Sequence, residues 1–371
     1  MDEQKPNRRQ ILGGMAAAGA AGLVGSVGTS QAQTARRPHV GPSQPPPITD
    51  VRGKVAYITG GVSGIGLGIA RVFYAAGMKV ALGYLNDEHV GHALSLFPAN
   101  DPRVYAVQHD VMDRDGWERT ADDIEKRLGG VQVLVNNAGV GLRAPASTGT
   151  YKDWEWGLGV NLWGPINGVH TYVPRMLARK EGAQIVTTTS TSGILPGLGA
   201  GIYTVTKIAA VGLMEELRLE LSHTNIGTSA FIPGLTRSNI GESETYRPAS
   251  LKDEGPPALA PGEHPRPAGK PPRHFKFHAF MEGSPAAHRP MDPVVAGRFV
   301  LNGILNNDLF IVAEPEYRAG VEARCHALLD SMIPFKPLPA ALYGPNIYRT
   351  PIYLEEIAHR KATQHRDIQG T

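Results

Sequence analysis

Two kinds of apolar spacing alternate along the chain between about residues 52 and 333. Short continuous runs rich in Val, Ile and Thr mark strands buried on both faces, and runs with apolar residues three and four apart mark helices with one buried side. The first run, Lys54 to Gly60, reads Lys-Val-Ala-Tyr-Ile-Thr-Gly and ends in glycines; the periodicity from Ile65 to Ala76 predicts the helix behind it. Lys79 opens a second strand, a third ends at Asp110, and Val131 to Val135 forms a fourth, with Asn161 in a long helix beyond it. Gln184 to Ser190 is a β-branched strand that ends in a hydroxyl cluster, and the Gly/Pro-rich stretch from Gly193 to Gly201 turns the chain into a helix carrying Tyr203. A sixth strand precedes Pro233, Val294 to Leu305 is a helix, Phe310 to Val312 the last strand and Pro315 to Ser331 a closing helix. Strand and helix in alternation predict an α/β chain.

Three side chains on this framework point to chemistry. Tyr203 and Lys207 are four residues apart, so on a helix they share a face, and Ser190 precedes the tyrosine by thirteen positions at the end of a strand. An ammonium beside a phenol favours the phenolate and is expected to lower the Tyr203 pKa toward the range in which it exchanges protons at neutral pH. A lone Tyr-x-x-x-Lys is common on solvated helix faces; the glycines upstream are what change its meaning. Strand, Gly60, Gly64, Gly66, then helix is the arrangement that lets a backbone approach a pyrophosphate, whose negative charge suits the free N–H groups at a helix start.

With Asp110-Val111 after the third strand, Asn136-Asn137-Ala138-Gly139 after the fourth and Pro233-Gly234-Leu235-Thr236-Arg237-Ser238 after the sixth, residues 52 to 333 resemble the short-chain dehydrogenase/reductase family. The resemblance is to its compact subgroup with Thr-Gly-x-x-x-Gly-x-Gly spacing. It implies an α/β Rossmann-type doubly wound parallel sheet of seven strands with helices on both faces. It places Thr59, Gly60, Ser63, Gly64, Ile65 and Gly66 around the cofactor phosphates, Asp110 and Val111 at adenine, and Asn137, Ala138 and Gly139 beside the adenine ribose. Tyr203 matches the acid/base, Lys207 the residue that holds the nicotinamide ribose and tunes the phenol, and Ser190 the orienter of the substrate oxygen. Asn161 matches the fourth catalytic position, supporting a water-linked proton path to the lysine, and Pro233, Gly234, Thr236 and Ser238 the loop at the nicotinamide carboxamide. The family also implies a dimer or tetramer formed through the helices that contain Asn161 and Tyr203.

One position departs from the pattern. Where the family places an acidic residue for NAD, or a basic one for the phosphate of NADP, this chain has Tyr84 and Leu85. No basic residue stands at Val62, Ser63, Tyr84, Leu85 or Asn86, so the reading leans to NAD over NADP, with Asn86 or Asp87 as a substitute ribose contact.

The ends carry different signals. Asn7-Arg8-Arg9-Gln10-Ile11-Leu12, an apolar Gly/Ala-heavy run to about Val27 and Ser30-Gln31-Ala32 together form a twin-arginine-type export signal over residues 1–32, which implies a periplasmic or exported protein. The run is too broken by glycine to be a membrane span. Residues 33–50 form a proline-rich linker, 51–333 the dinucleotide-binding domain and 334–371 a tail with a charged helix-like Leu354 to Arg366, suited to wrapping a neighbouring subunit. Residues 241–290 hold ten of the thirty prolines and form a substrate lid in which Phe275, Phe277, Phe280 and Met281 suit an apolar substrate. His274 and His278 have no accompanying carboxylate, so no metal is expected there. A net charge of +3 is no nucleic-acid footprint, and the single Cys325 excludes an internal disulfide. The expected activity is hydride exchange between a nicotinamide and a hydrophobic or aromatic alcohol or ketone. A non-catalytic dinucleotide-binding regulator and a sugar-nucleotide epimerase or dehydratase are the alternatives.

Overall fold

The structure, a computed structural model, describes residues 44–142, 144–197, 200–255, 258–259, 261, 290–332 and 351–363. The export signal, most of the linker, His274, His278 and the aromatic part of the lid lie outside the described residues.

Seven strands form one all-parallel sheet in the order β3-β2-β1-β4-β5-β6-β7. They are β1 Val55–Ile58, β2 Lys79–Tyr84, β3 Val104–Gln108, β4 Val131–Asn136, β5 Ala183–Thr188, β6 Ile226–Ile232 and β7 Phe310–Val312. Side chains alternate across the pleat, so each strand feeds two cores. Ala56 and Ile58 of β1 face one layer with Ile69, Phe73, Val300 and Ile304, while Val55 and Tyr57 face the other with Trp117, Ile124, Tyr172 and Met214. Helices α1 (Gly64–Ala75), α2 (Val90–Ser95) and α7 (Pro293–Asn306) supply the first layer. Helices α3 (Arg114–Leu128), α5 (Gly164–Arg179) and α6 (Gly201–Glu220) supply the second. The expected fold is therefore the observed one.

Several boundaries differ from the sequence reading. The strand expected to reach Ser190 stops at Thr188, and the closing helix starts as a 3₁₀ turn, Pro315–Tyr317, before α8 (Arg318–Asp330). Residues 44–50 are not a free linker: Ile48 is buried in the core, and the Gln44 side chain donates to the Thr224 carbonyl at 2.6 Å. In the tail, α9 (Pro351–Thr363) docks on its own chain. Its Glu356 accepts the Leu309 N–H at 3.1 Å, Arg360 donates to the Phe310 carbonyl, and His359 meets Asp308 at 2.8 Å, so polar groups around β7 are satisfied by this helix.

Helices α1 and α7 approach closely because both carry glycine at the crossing. A Cβ on Gly68 would overlap the Pro293 carbonyl, and one on Gly297 would stand 2.7 Å from the Gly68 carbonyl. Backbone cannot yield as a flexible side chain can, so Gly68→Ala should cost about 1–3 kcal/mol. Urea unfolding checks this against Gly91→Ala, where nothing lies within 4 Å and stability should hold or rise; equal midpoints for the two would refute it.

Candidate active site

Strand order reverses between β1 and β4: the chain runs outward from β1 to β3 and then returns to build on β1's other side. No connection crosses the carboxyl ends there, which leaves a crevice. Its two walls are stapled below by Thr59. The hydroxyl of Thr59 accepts the Asn137 and Ala138 N–H groups, each at 2.9 Å, and the Asn137 amide donates to the Thr59 carbonyl at 3.0 Å.

Above the staple, the glycine turn opens the crevice floor. Gly60 (φ +63°) and Gly64 (φ +48°) adopt the left-handed conformation that favours glycine. Ser63 begins α1 without a side-chain cap bond, and no acidic residue occupies the first turn. An uncapped helix start facing a cleft is an anion site. A Cβ at Gly66 would overlap the Gly60 carbonyl, so this glycine serves helix packing.

The other wall carries Tyr203 and Lys207, one turn apart on α6. Lys207 is buried, its ammonium donates to the Thr188 carbonyl at 3.0 Å, and it lies 5.6 Å from the centre of the Tyr203 ring. Ser190 follows β5; its hydroxyl accepts the Ser192 N–H at 3.1 Å, which fixes its rotamer, and it also hydrogen-bonds Tyr203. The expectation of a lowered phenol pKa is not met. Burial pushes Tyr203 up, with Ser190 opposing, and the same burial lowers Lys207 to about 8. Desolvation disfavours both charges.

The cleft encloses about 310 Å³ and is lined by Gly60, Ser63, Gly64, Ile65, Tyr84, Asp110, Val111, Asn137, Ala138 and Gly139 on its dinucleotide side. Ser190, Tyr203, Lys207, Pro233, Gly234, Thr236 and Ser238 also line it. Three expected residues do not line it: Thr59, Gly66 and Asn161. Thr59 and Gly66 are spent on the staple and on packing. Asn161 lies in a π-helical turn, Gly159–Trp163, between α4 (Tyr151–Leu158) and α5, not within a continuous α-helix. Its side chain accepts the Val140 N–H at 2.9 Å and donates to the Val140 carbonyl at 3.0 Å and the Thr206 hydroxyl at 3.2 Å. The amide is thus occupied by the wall that carries Lys207.

The sequence reading missed the far end of the cleft. Trp156, Val140, Ile240, Ser243 and Pro248 wall it. Trp156 has the spacing of an ordinary core residue, and the others sit in loops whose path no local pattern predicts. The segment Asn239–Tyr246 folds over this end. Ser243 accepts the Gly141 N–H at 2.9 Å, Asn239 meets His89 at 2.9 Å, and the Tyr246 hydroxyl donates to Glu88 at 3.1 Å. Arg247 anchors the segment through a buried ion pair with Asp153 and stacks 4.7 Å from the Trp156 ring. Among the described residues no cluster of three metal-ligating side chains occurs, and no helix is long and apolar enough to cross a membrane.

Comparison with known proteins decides the family. Residues 54–248 match the family model described as short chain dehydrogenase. The chain belongs to the short-chain dehydrogenase/reductase family. This oxidoreductase is 33% identical over 294 residues, 79% of its length and 90% of the relative's, to a C alpha-dehydrogenase of Sphingobium sp.. It is 34% identical over 190 residues, 52% of its length and 73% of the relative's, to 3beta-hydroxysteroid dehydrogenase 2 of Eggerthella lenta. A solved structure of a Burkholderia phymatum short-chain dehydrogenase/reductase in complex with NAD superposes with a TM-score of 0.65 at 28% identity, covering 78% of this chain and 99% of that one.

One residue lining the cleft makes this short-chain dehydrogenase/reductase sensitive to acid. His109 packs edge-on against Trp117, ring centres 4.6 Å apart, and Nδ1 lies 2.6 Å from the Tyr57 hydroxyl. Burial lowers its pKa to about 4. The unfolded chain binds a proton at this residue below about pH 6.5 and the folded chain only below about 4, so stability falls as pH drops through that window, by up to about 3 kcal/mol. Denaturation midpoints at pH 7 and pH 4.5 should differ less in His109→Gln than in the parent; an unchanged difference would refute the assignment.

Proposed function

We propose that the protein transfers hydride between a nicotinamide dinucleotide and a hydrophobic or aromatic alcohol or ketone, with Tyr203 as acid/base. The observation that carries this reading is the convergence of Tyr203, Lys207 and Ser190 in the same cleft as the open start of α1. The residues present fit such a cofactor. The turn at Gly60 and Gly64 and the uncapped N–H groups of α1 suit its pyrophosphate, and the buried Lys207 ammonium, with the Thr188 carbonyl as its hydrogen-bond partner, has donors left for ribose hydroxyls. Among the described lining residues Lys207 is the one lysine or arginine, and Asn86 begins its 3₁₀ turn without a side-chain cap bond. These two facts favour NAD over NADP, because a 2′-phosphate at Asn86 would find no lysine or arginine among the described lining residues.

A bound nicotinamide supplies or accepts the hydride. In the reductive direction Tyr203 gives its proton to the substrate oxygen as the carbonyl carbon gains the hydride. Ser190 and Tyr203 together hydrogen-bond that oxygen and stabilise the charge growing on it. Lys207 holds the cofactor sugar and favours the phenolate that Tyr203 becomes. Asn161 positions Lys207's wall by clamping Val140. Trp156, Val140, Ile240 and Pro248 exclude water and supply the apolar contact for the substrate, in keeping with a relative named as a hydroxysteroid dehydrogenase. The apolar end also weighs against a sugar nucleotide, and the intact tetrad against a non-catalytic binder. Exposed Leu177, Val205 and Ile208 on α5 and α6 support assembly into a homodimer or homotetramer through these helices. Tyr203→Phe should bind NADH as the parent does and lose about 10²–10⁴ of turnover on an alcohol and ketone panel; comparable turnover would remove the assignment.

Residues 1–32 are proposed to export the folded protein by the twin-arginine route, with cofactor loaded beforehand and retained, since free dinucleotide is scarce outside the cytoplasm. Heat-denaturing protein purified from the periplasmic fraction without added cofactor should release a nicotinamide dinucleotide in near-stoichiometric amount. Release of none would count against loading, and failure of Arg8→Lys with Arg9→Lys to hold the protein in the cytoplasm would count against the route.

A further inference from the structure

Behind the Pro233–Gly234 loop lies an acid that the proposed reaction does not use. Glu314 follows β7, and its carboxylate fills the space that a side chain at Gly234 would need, since a Cβ there would overlap both carboxylate oxygens' group. The Gly234 N–H donates to this carboxylate, yet Oε2 is buried without a hydrogen-bond partner. The charged and titratable groups that act on it are Glu316 and Tyr317, both from its own segment. From the β6 side it meets the Gly234 peptide, and Tyr317 in turn bonds Thr191. No cation acts on it among the described residues. Burial, reinforced by Glu316 and opposed by the Gly234 N–H, raises Glu314 to about 7.

This carboxylate is one peptide away from the cleft wall. Gly234 lines the cleft together with Ser190 and Tyr203, and the Pro233 carbonyl accepts the Thr191 N–H at 3.0 Å, next to Ser190. An oxidised nicotinamide ring is cationic and a reduced one neutral, so hydride transfer removes a positive charge from the site. A half-buried carboxylate with no counter-ion among the described residues acts on that difference with less screening than a fully solvated one.

Resting on the dinucleotide reading above, we propose that Glu314 is the positioning residue of the Pro233–Gly234 loop and that its negative charge makes the site favour the oxidised, cationic cofactor over the reduced one. Ionisation above neutrality switches the preference on. By reciprocity, NAD⁺ binding holds the carboxylate ionised more strongly than NADH binding does.

The test is equilibrium binding of NAD⁺ and NADH to the full chain from pH 5.5 to 7.5, with Glu314→Gln measured alongside so that the onset of Lys207 deprotonation, centred near pH 8, is carried equally by both proteins. In the parent the ratio Kd(NADH)/Kd(NAD⁺) should rise several-fold across this window as the carboxyl ionises near pH 7, toward the roughly tenfold limit that a one-unit coupling of its pKa to the cofactor charge carries. Glu314→Gln keeps an acceptor for Gly234 and should flatten that rise, and Glu314→Ala should weaken both forms several-fold by freeing the loop. A flat ratio in the parent, or a rise that persists in Glu314→Gln, overturns the charge effect, and the parent measurement decides even should the variants fail to fold. Parent-like affinity of Glu314→Ala for both forms overturns the positioning role. A parent that binds neither nucleotide would instead strike the dinucleotide reading itself.

Discussion

Everything at the site depends on the crevice between β1 and β4 staying open at a fixed width. Parallel strands must be joined by crossover helices, and where consecutive crossovers leave in opposite directions nothing covers the strand ends. Here β2 and β3 lie on one side of β1 and β4 to β7 on the other. The two loops that border the gap are tied by a single hydroxyl, Thr59, which accepts two N–H groups, and by the Asn137 amide, which donates back. These bonds are partly buried, so an unmade one would leave a donor poorly solvated, and the tie holds where loops would otherwise drift. The glycines of the opposite turn need this fixed spacing, because Gly64 approaches Ser238 and Gly60 approaches Ala138 too closely for side chains.

Burial sets the charge states within that gap. Removing Tyr203 and Lys207 from water disfavours the charged form of each, raising the phenol and lowering the lysine. The pair is therefore a neutral phenol beside a lysine that sheds its proton near pH 8. Glu314 behaves in the same way on the far side of Gly234. A neutral phenol, and a lysine and a carboxyl whose ionisation lies close to neutrality, leave the cleft's electrostatics responsive to whatever charge enters.

The strands and most helices were legible because each is a local pattern: β-branched runs for β1 to β6 and 3.6-residue periodicity for α1, α6 and α7. The Tyr203–Lys207 pair was legible for the same reason, since its spacing is one helical turn. Asn161 was found by its place in the order of motifs, but its clamp on Val140 was not, because the π turn that aims it arises where α4 and α5 join rather than from residue preferences. Trp156 and the Asn239–Tyr246 segment were missed because their neighbours in space are far apart in the chain: Ser243 meets Gly141, and Arg247 meets Asp153.

By itself the sequence determined the alternation of strand and helix, the family, and which side chains carry chemistry, all of which depend on short-range spacing. Only the tertiary structure decided what those groups experience. It removed Tyr203 and Lys207 from water and so reversed the expected sign of the tyrosine shift, it turned Thr59 and Gly66 into framework, and it brought Glu314 up behind Gly234. Desolvation and close approach depend on the summed positions of atoms from many segments, and no pattern along one segment encodes that sum.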